Sequence, residues 1–193
     1  MIAAVQDDLV RRHRLTVQDY YRMAEVGLLA PDARVELIEG EIIDMAPSGS
    51  AHAGILSRLY ERLFLAVKGG ATVRPQLPLR VDDFSEPEPD FALVTRRSDD
   101  YTSSHPLPAD VLLLVEVSQS SLRFDRERKL PLYARHGIPE YWIVDVVTPA
   151  LHVFHTPQAE RYVHASSTPL PGLLTLSMQP ELEVDLTGLF EGL

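Results

Sequence analysis

The sequence predicts a mixed α/β protein: a central mixed β-sheet with a helix against each face. Two nearly unbroken apolar runs, at 111–117 and 141–147, read as central strands covered on both sides. Two segments of helical character, near 55–67 and 123–136, are placed to supply the covering layers. The order of hairpin, helix, strands, helix and strands contains no internal repeat and no low-complexity tract.

Residues 1–14, which include Arg11-Arg12-His13-Arg14, carry no period and are expected to form a loosely ordered, solvated start. Thr16 followed three residues on by Asp19 is an acidic variant of the capping box, and Gly27 supplies a stop, so a short helix is expected over 17–26. Residues 35–45 are two β-prone runs around Gly40, the pattern of a hairpin. After the break at Pro47-Ser48-Gly49-Ser50, apolar residues Ile55, Leu56, Leu59, Leu63 and Val67 recur at helical intervals until Gly69-Gly70. Residues 71–81, interrupted by Pro75 and Pro78, predict an edge or bent strand.

The segment Ser85-Glu86-Pro87-Glu88-Pro89 is expected to pair poorly, and Asp90 then opens a short strand through Val94. Residues 99–108 read as a polar loop, the least constrained internal segment. The strand 111–117 follows, then the helical stretch 123–136 with Gly137 as its stop, then strands at 140–147 and 151–154. Pro157 marks a turn, 161–164 can pair back, and 172–193 read as a C-terminal β extension ending in a short helix.

With 193 residues, 45% of them hydrophobic, the chain can close one sizeable core, and one domain over 15–193 is expected. A net charge of -10 argues against a broad basic nucleic-acid surface, though not against a local basic cleft or a metal-bridged phosphate. The absence of cysteine removes disulfides, zinc-thiolate sites and cysteine nucleophiles together, which leaves Asp, Glu, His and carbonyl oxygens as metal ligands. With no signal-like start and no apolar run of about 20 residues, a cytoplasmic protein with no membrane partner is expected.

Glu116 lies inside the run 111–117, where a buried carboxylate costs several kcal/mol unless it is compensated. Alternation groups Leu112, Leu114 and Glu116 on one face of that strand and Val111, Leu113, Val115 and Val117 on the other. Asp90 begins the preceding strand, so an antiparallel pairing would bring the two carboxylates together. Two hard oxygen ligands with water suit Mg²⁺ or Mn²⁺. Asp125, Lys129 and Tyr133 follow at i, i+4 and i+8 and would stack on one helix face, with Pro131 removing one helical hydrogen bond. Tyr133 and Trp142 are assigned to packing.

These residues resemble the Uma2 family of endonucleases, within the PD-(D/E)XK nuclease superfamily. The resemblance is carried by Val35-Glu36-Leu37-Ile38-Glu39-Gly40-Glu41-Ile42, His52, Glu88-Pro89-Asp90 and Leu114-Val115-Glu116-Val117-Ser118. It continues through Ser121-Leu122, Asp125, Lys129 and Tyr133-Ala134 to Gly137-Ile138-Pro139-Glu140-Tyr141-Trp142-Ile143-Val144-Asp145. It implies a restriction-endonuclease-like core and a metal-dependent endonuclease acting on DNA, with Asp90, Glu116 and the Val117 carbonyl as ligands of Mg²⁺ (or Mn²⁺). The superfamily lysine lies two residues after the glutamate, where this chain has Ser118, so the resemblance makes Lys129 the candidate that orients water and balances charge at phosphorus. Glu36, as a further ligand or water-positioning group, and His52, as a phosphate contact, form a second tier with Ser118 and Asp125.

Two other functions fit the same residues: a catalytically silent nuclease-like binding or assembly module, and a metal-dependent hydrolase of another phosphate substrate. The strand edge near 71–81 would also permit a homodimer.

Overall fold

The computed structural model describes residues 12–193, so the expectation for the start of the chain falls mostly on residues outside the described ones. Helix α1 (Val17–Glu25) begins where expected. Thr16 Oγ1 accepts from the Asp19 N–H, and the Asp19 carboxylate accepts from the Thr16 N–H. Strands β1 (Val35–Ile38) and β2 (Glu41–Asp44) form the hairpin, with Glu39 and Gly40 both at positive φ in the turn. A side chain at Gly40 would meet Arg14 Cβ at 2.6 Å, so both the turn and the close approach require glycine.

The main sheet has six strands in the order β3 (Ala71–Pro75), β4 (Phe91–Thr95), β5 (Val111–Ser118), β6 (Glu140–Asp145), β7 (Ala150–Gln158) and β8 (Arg161–Thr168). All pairs are antiparallel except β5 with β6. That parallel pair needs a crossover. It is made by α3 (Leu122–Phe124), a π-helical turn (Asp125–Lys129) and α4 (Leu130–Arg135). Pro131 has no N–H for the Glu127 carbonyl, and the helix is widened over the five residues that lead up to Leu130, whose N–H reaches back to Asp125 O.

Helix α2 (Ser50–Val67) covers one face through Ile55, Leu59 and Leu63, which pack with Leu113, Val115, Val117, Trp142 and Val144. On the other face Leu132, Tyr133 and Ala134 of α4 pack with Ala92, Leu114, Tyr141 and Ile143. The two-stranded β9 (Leu173–Leu176) and β10 (Gln179–Asp185) lie on the α2 side. Arg58 and Arg62 tie them down by donating to the carbonyls of Leu189, Asp185 and Thr187.

The expected face alternation of 111–117 holds only in part. The register passes from Leu93↔Leu113 to Val94↔Val111, so Leu112 is an extra residue in β5. The bulge places Val111 in the α4-side core and turns Leu112 toward α2, while Leu114 and Glu116 keep their common face. Three further expectations are corrected. Pro157 lies within β7, opposite Tyr162, and the turn comes at 159–160. The final segment closes in turns rather than a helix. Residues 85–89 form no strand, in keeping with the expectation, and meet β1 through a single bridge between Leu37 and Glu86. Residues 99–108 are pinned by Asp99, which accepts from Arg97 and Ser103, and by buried Tyr101, whose hydroxyl donates to Thr95 O.

Leu113 is fully buried between β5 and α2. Leu113→Ala should lower the unfolding free energy by about 2–5 kcal/mol in urea titration, whereas Val147→Ala, at an exposed position, should change it by less than about 0.5 kcal/mol.

Candidate active site

The sheet register sets the first two site residues. Phe91 pairs with Val115, so Asp90 and Glu116 face each other one step further along the same antiparallel pair. Asp90 Oδ2 accepts from the Val117 N–H at 2.8 Å, and Glu116 Oε2 lies 3.4 Å from the Asp90 N–H. Both side chains are nearly excluded from solvent, yet both line an open cavity of about 490 Å³ at the end of β5.

The π-turn supplies the cation. Lys129 Nζ lies 3.0 Å from Glu116 Oε1 and 3.0 Å from Glu36 Oε2, with all three side chains buried. One turn further on, the Tyr133 hydroxyl donates to the same Glu116 Oε1 at 3.1 Å. Asp125 Oδ2 accepts from Ser118 Oγ at 2.6 Å and from Ser121 Oγ at 2.7 Å. Glu36 comes from β1 and also accepts from the Glu88 N–H at 3.1 Å, which seats the hairpin over this end of the sheet.

Charge in the cluster is unbalanced. Burial opposes the ammonium of Lys129, but Glu116 and Glu36, followed by Tyr133 and Asp125, outweigh it and hold its pKa well above the ordinary lysine value. Lys129 therefore stays protonated. Burial pushes the Glu116 carboxyl well above its usual range; Lys129 pulls it back, and Asp125, Asp90 and Glu36 add to the rise. Burial also raises Asp125, against Lys129 and the two serine hydroxyls. One buried ammonium thus faces the carboxyls of Glu36, Glu116 and Asp125, with Asp90 beside them, and a divalent cation at this place would favour their ionised forms.

Glu116 Oε1 is committed to Lys129 and Tyr133, while Oε2 is turned toward Asp90. Among the described residues no three His, Asp or Glu side chains form a ready metal cage. A cation here would be held by Asp90, Glu116, the Val117 carbonyl and solvent. A donor set of two carboxylates, a carbonyl and water fits Mg²⁺ or Mn²⁺, which keep several waters.

His52, near the start of α2, closes the cavity with Nε2 3.4 Å from Asp90 Oδ2. Its pKa is raised by the hydrogen bond to Asp90, against burial, with the Val117 carbonyl contributing in the same direction. Opposite it, Gln76 Nε2 donates to Asp90 Oδ1 at 3.2 Å, from a residue in the left-handed region at φ 46.

The structure brings together Asp90, Glu116, Val117, Lys129, Glu36, His52, Ser118 and Asp125. Glu36 is buried and paired rather than a surface hairpin residue. Ser118, in the position of the superfamily lysine, positions Asp125 instead. Tyr133 does more than pack, since its hydroxyl holds Glu116; its i+4 spacing from Lys129 was the available signal. Gln76 and Glu88 also line the cavity, and nothing in the strand or helix periodicity marked them.

This arrangement, with two acidic residues facing each other across adjacent strands of a mixed sheet and a lysine from the crossover turn, is carried on a nuclease-like fold. Residues 17–187 match the family model Uma2, described as "Putative restriction endonuclease", and the chain belongs to that family. Among solved structures it is similar to one described as a putative nuclease belonging to DUF820 from Anabaena variabilis ATCC 29413. The TM-score is 0.71 at 19% identity, and the match covers 91% of this chain and 97% of that one, a likeness of fold. No curated protein matches the chain.

Lys129→Met should destabilise the protein by about 3–5 kcal/mol in chemical denaturation at neutral pH, because Glu36 and Glu116 lose their buried partner; a loss below about 1 kcal/mol would mean that the carboxylates are already solvated. His52 has a raised pKa in the folded state, so its contribution is complete below about pH 6.5 and is lost as pH rises through the folded value. In EDTA the wild type should lose melting temperature over that interval, and His52→Gln should flatten the dependence.

Proposed function

We propose that this member of the Uma2 family is a divalent-metal-dependent endonuclease that hydrolyses phosphodiester bonds in DNA. The observation that carries the reading is the meeting of Asp90 and Glu116 across β4 and β5 with Lys129 held against Glu116. Asp90, Glu116 and the Val117 carbonyl would hold Mg²⁺ or Mn²⁺, which when bound offsets negative charge on the phosphate and lowers the pKa of water.

The remaining roles belong to the chain. The carboxylates of Glu116 and Glu36 beside Lys129 favour its ammonium form. Lys129 acts as a donor, orienting the attacking water and balancing charge at phosphorus. In the hydrolysis the water oxygen bonds to phosphorus and gives up a proton to solvent, the bond from phosphorus to the leaving sugar oxygen breaks, and that oxygen takes up a proton from solvent. Tyr133 fixes Glu116 Oε1, which leaves Oε2 for the metal side. Glu36 holds Lys129 from the opposite direction and is a positioning residue. His52 faces the cavity, where a phosphate oxygen would lie near its ring.

Purified protein should cut plasmid DNA with Mg²⁺ or Mn²⁺ and not with EDTA, while Asp90→Ala, Glu116→Ala and Lys129→Ala should each lower the rate by about 10²-fold or more. Glu36→Gln should lower the rate less than Glu116→Gln does. If the wild type neither cuts any tested DNA or RNA nor binds Mn²⁺ in a titration, the nuclease reading fails and a non-catalytic binding role takes its place.

A further inference from the structure

Three hollows follow one another along α2 and the edge strand β3. The acidic cavity shares Gln76 and Asp90 with a shallow hollow of about 360 Å³ that also includes Tyr60 and Phe91. That hollow shares Tyr60 with another of about 450 Å³, which is bounded by Phe64, Lys68 and Arg96. Together they form a groove of three adjoining hollows, linked by shared lining residues, from the carboxylates to the far end of α2.

Its lining is unusual for a free surface. Tyr60 and Phe64 are i, i+4 neighbours on α2, with ring centroids 6.2 Å apart and planes 22° from parallel. The Tyr60 ring lies a further 6.4 Å from that of Phe91, next to Asp90. Tyr60 is 44% and Phe64 60% exposed, although aromatic side chains grouped on one face are ordinarily covered. Beyond them, Lys68 ends the helix in the left-handed conformation, and Arg96 Nη1 reaches the Gly69 carbonyl at 3.4 Å, which keeps the two cations at the same end of the groove. Asp100 is the acidic group there.

We infer that this groove is the path of an unpaired nucleic-acid strand, with Tyr60 and Phe64 stacking bases and Lys68 and Arg96 meeting phosphates beyond them. The inference rests on the nuclease reading and adds the form of the substrate. Stacking on aromatic rings needs exposed base faces, which single strands offer and duplexes hide. It also supplies affinity without a broad basic surface, in keeping with a net charge of -10. An edge strand beside exposed apolar side chains could instead receive a second copy. The cations, and the Gln76 and Asp90 lining shared with the acidic cavity, favour the strand.

The test is fluorescence anisotropy of a short unstructured deoxyoligonucleotide and of its duplex, each titrated with protein in EDTA. The single strand should bind about tenfold more tightly or better. Tyr60→Ala and Phe64→Ala should each weaken it roughly tenfold, with unchanged melting temperature. Lys68→Gln and Arg96→Gln should each reduce the salt slope of log K by about 0.7. Equal binding of duplex and single strand, or binding indifferent to both rings, overturns the inference. So does a double aromatic variant whose sedimentation shifts from dimer to monomer with binding unchanged, which would assign the face to a second copy. Cleavage with Mn²⁺ is scored separately. Ring-dependent strand binding without cleavage supports the path and sinks the nuclease reading, and cleavage with ring-independent binding does the reverse.

Discussion

The arrangement depends on one buried ammonium. Lys129 lies between Glu36 from the hairpin and Glu116 from the central sheet, and it is the charge that lets two elements remote in sequence bury carboxylates at a common point. Without it the hairpin would bury a carboxylate met by the Glu88 N–H alone, and β5 would carry another met by a phenol and the Asp90 N–H, with no opposite charge for either. A pair of this kind is weak as a source of stability, since desolvation consumes much of the attraction. Its effect is to specify geometry: it fixes where β1 sits over the sheet and which way Glu116 turns.

Two irregularities deliver the side chains to that point. The extra residue at Leu112 absorbs a mismatch between β4 and β5 at the end away from the site, so that Asp90 and Glu116 still meet in register at the other end. The π-helical turn performs a comparable adjustment in the crossover, burying Asp125 and Lys129 together over the same face. A local departure from the regular repeat in each case serves a nonlocal meeting of charges, the usual relation between strain and function.

The fold was legible where burial dictated the pattern. The apolar runs of β5 and β6, the helical spacing of Ile55, Leu59 and Leu63, and the Thr16–Asp19 cap all express local energetics that a sequence records directly. Asp90 and Glu116 were visible as candidates because charges beside apolar runs need compensation, and Lys129 through its helical spacing from Asp125 and the family resemblance. The place of Glu36 was not, since a hairpin glutamate looks solvent-facing until another element covers it. The Leu112 bulge was hidden as well, because an unbroken row of Val and Leu offers no mark of which residue is extra. Pro157 misled for a different reason: it falls within a strand that continues to Gln158, two residues before the chain reverses.

The widened turn before Pro131 has a consequence for how this segment can vary. In a regular helix each residue advances the side-chain direction by about 100°. The position of Tyr133 beneath Glu116 is therefore a matter of counting: removing one residue between Lys129 and Tyr133 would turn the phenol by about 100° relative to the ammonium. Substitutions at exposed places in this stretch are absorbed by solvent, but a change in its length cannot be. The spacing from Lys129 to Tyr133 thus behaves as a ruler, and lineages that keep both groups on Glu116 are expected to carry no insertions or deletions there.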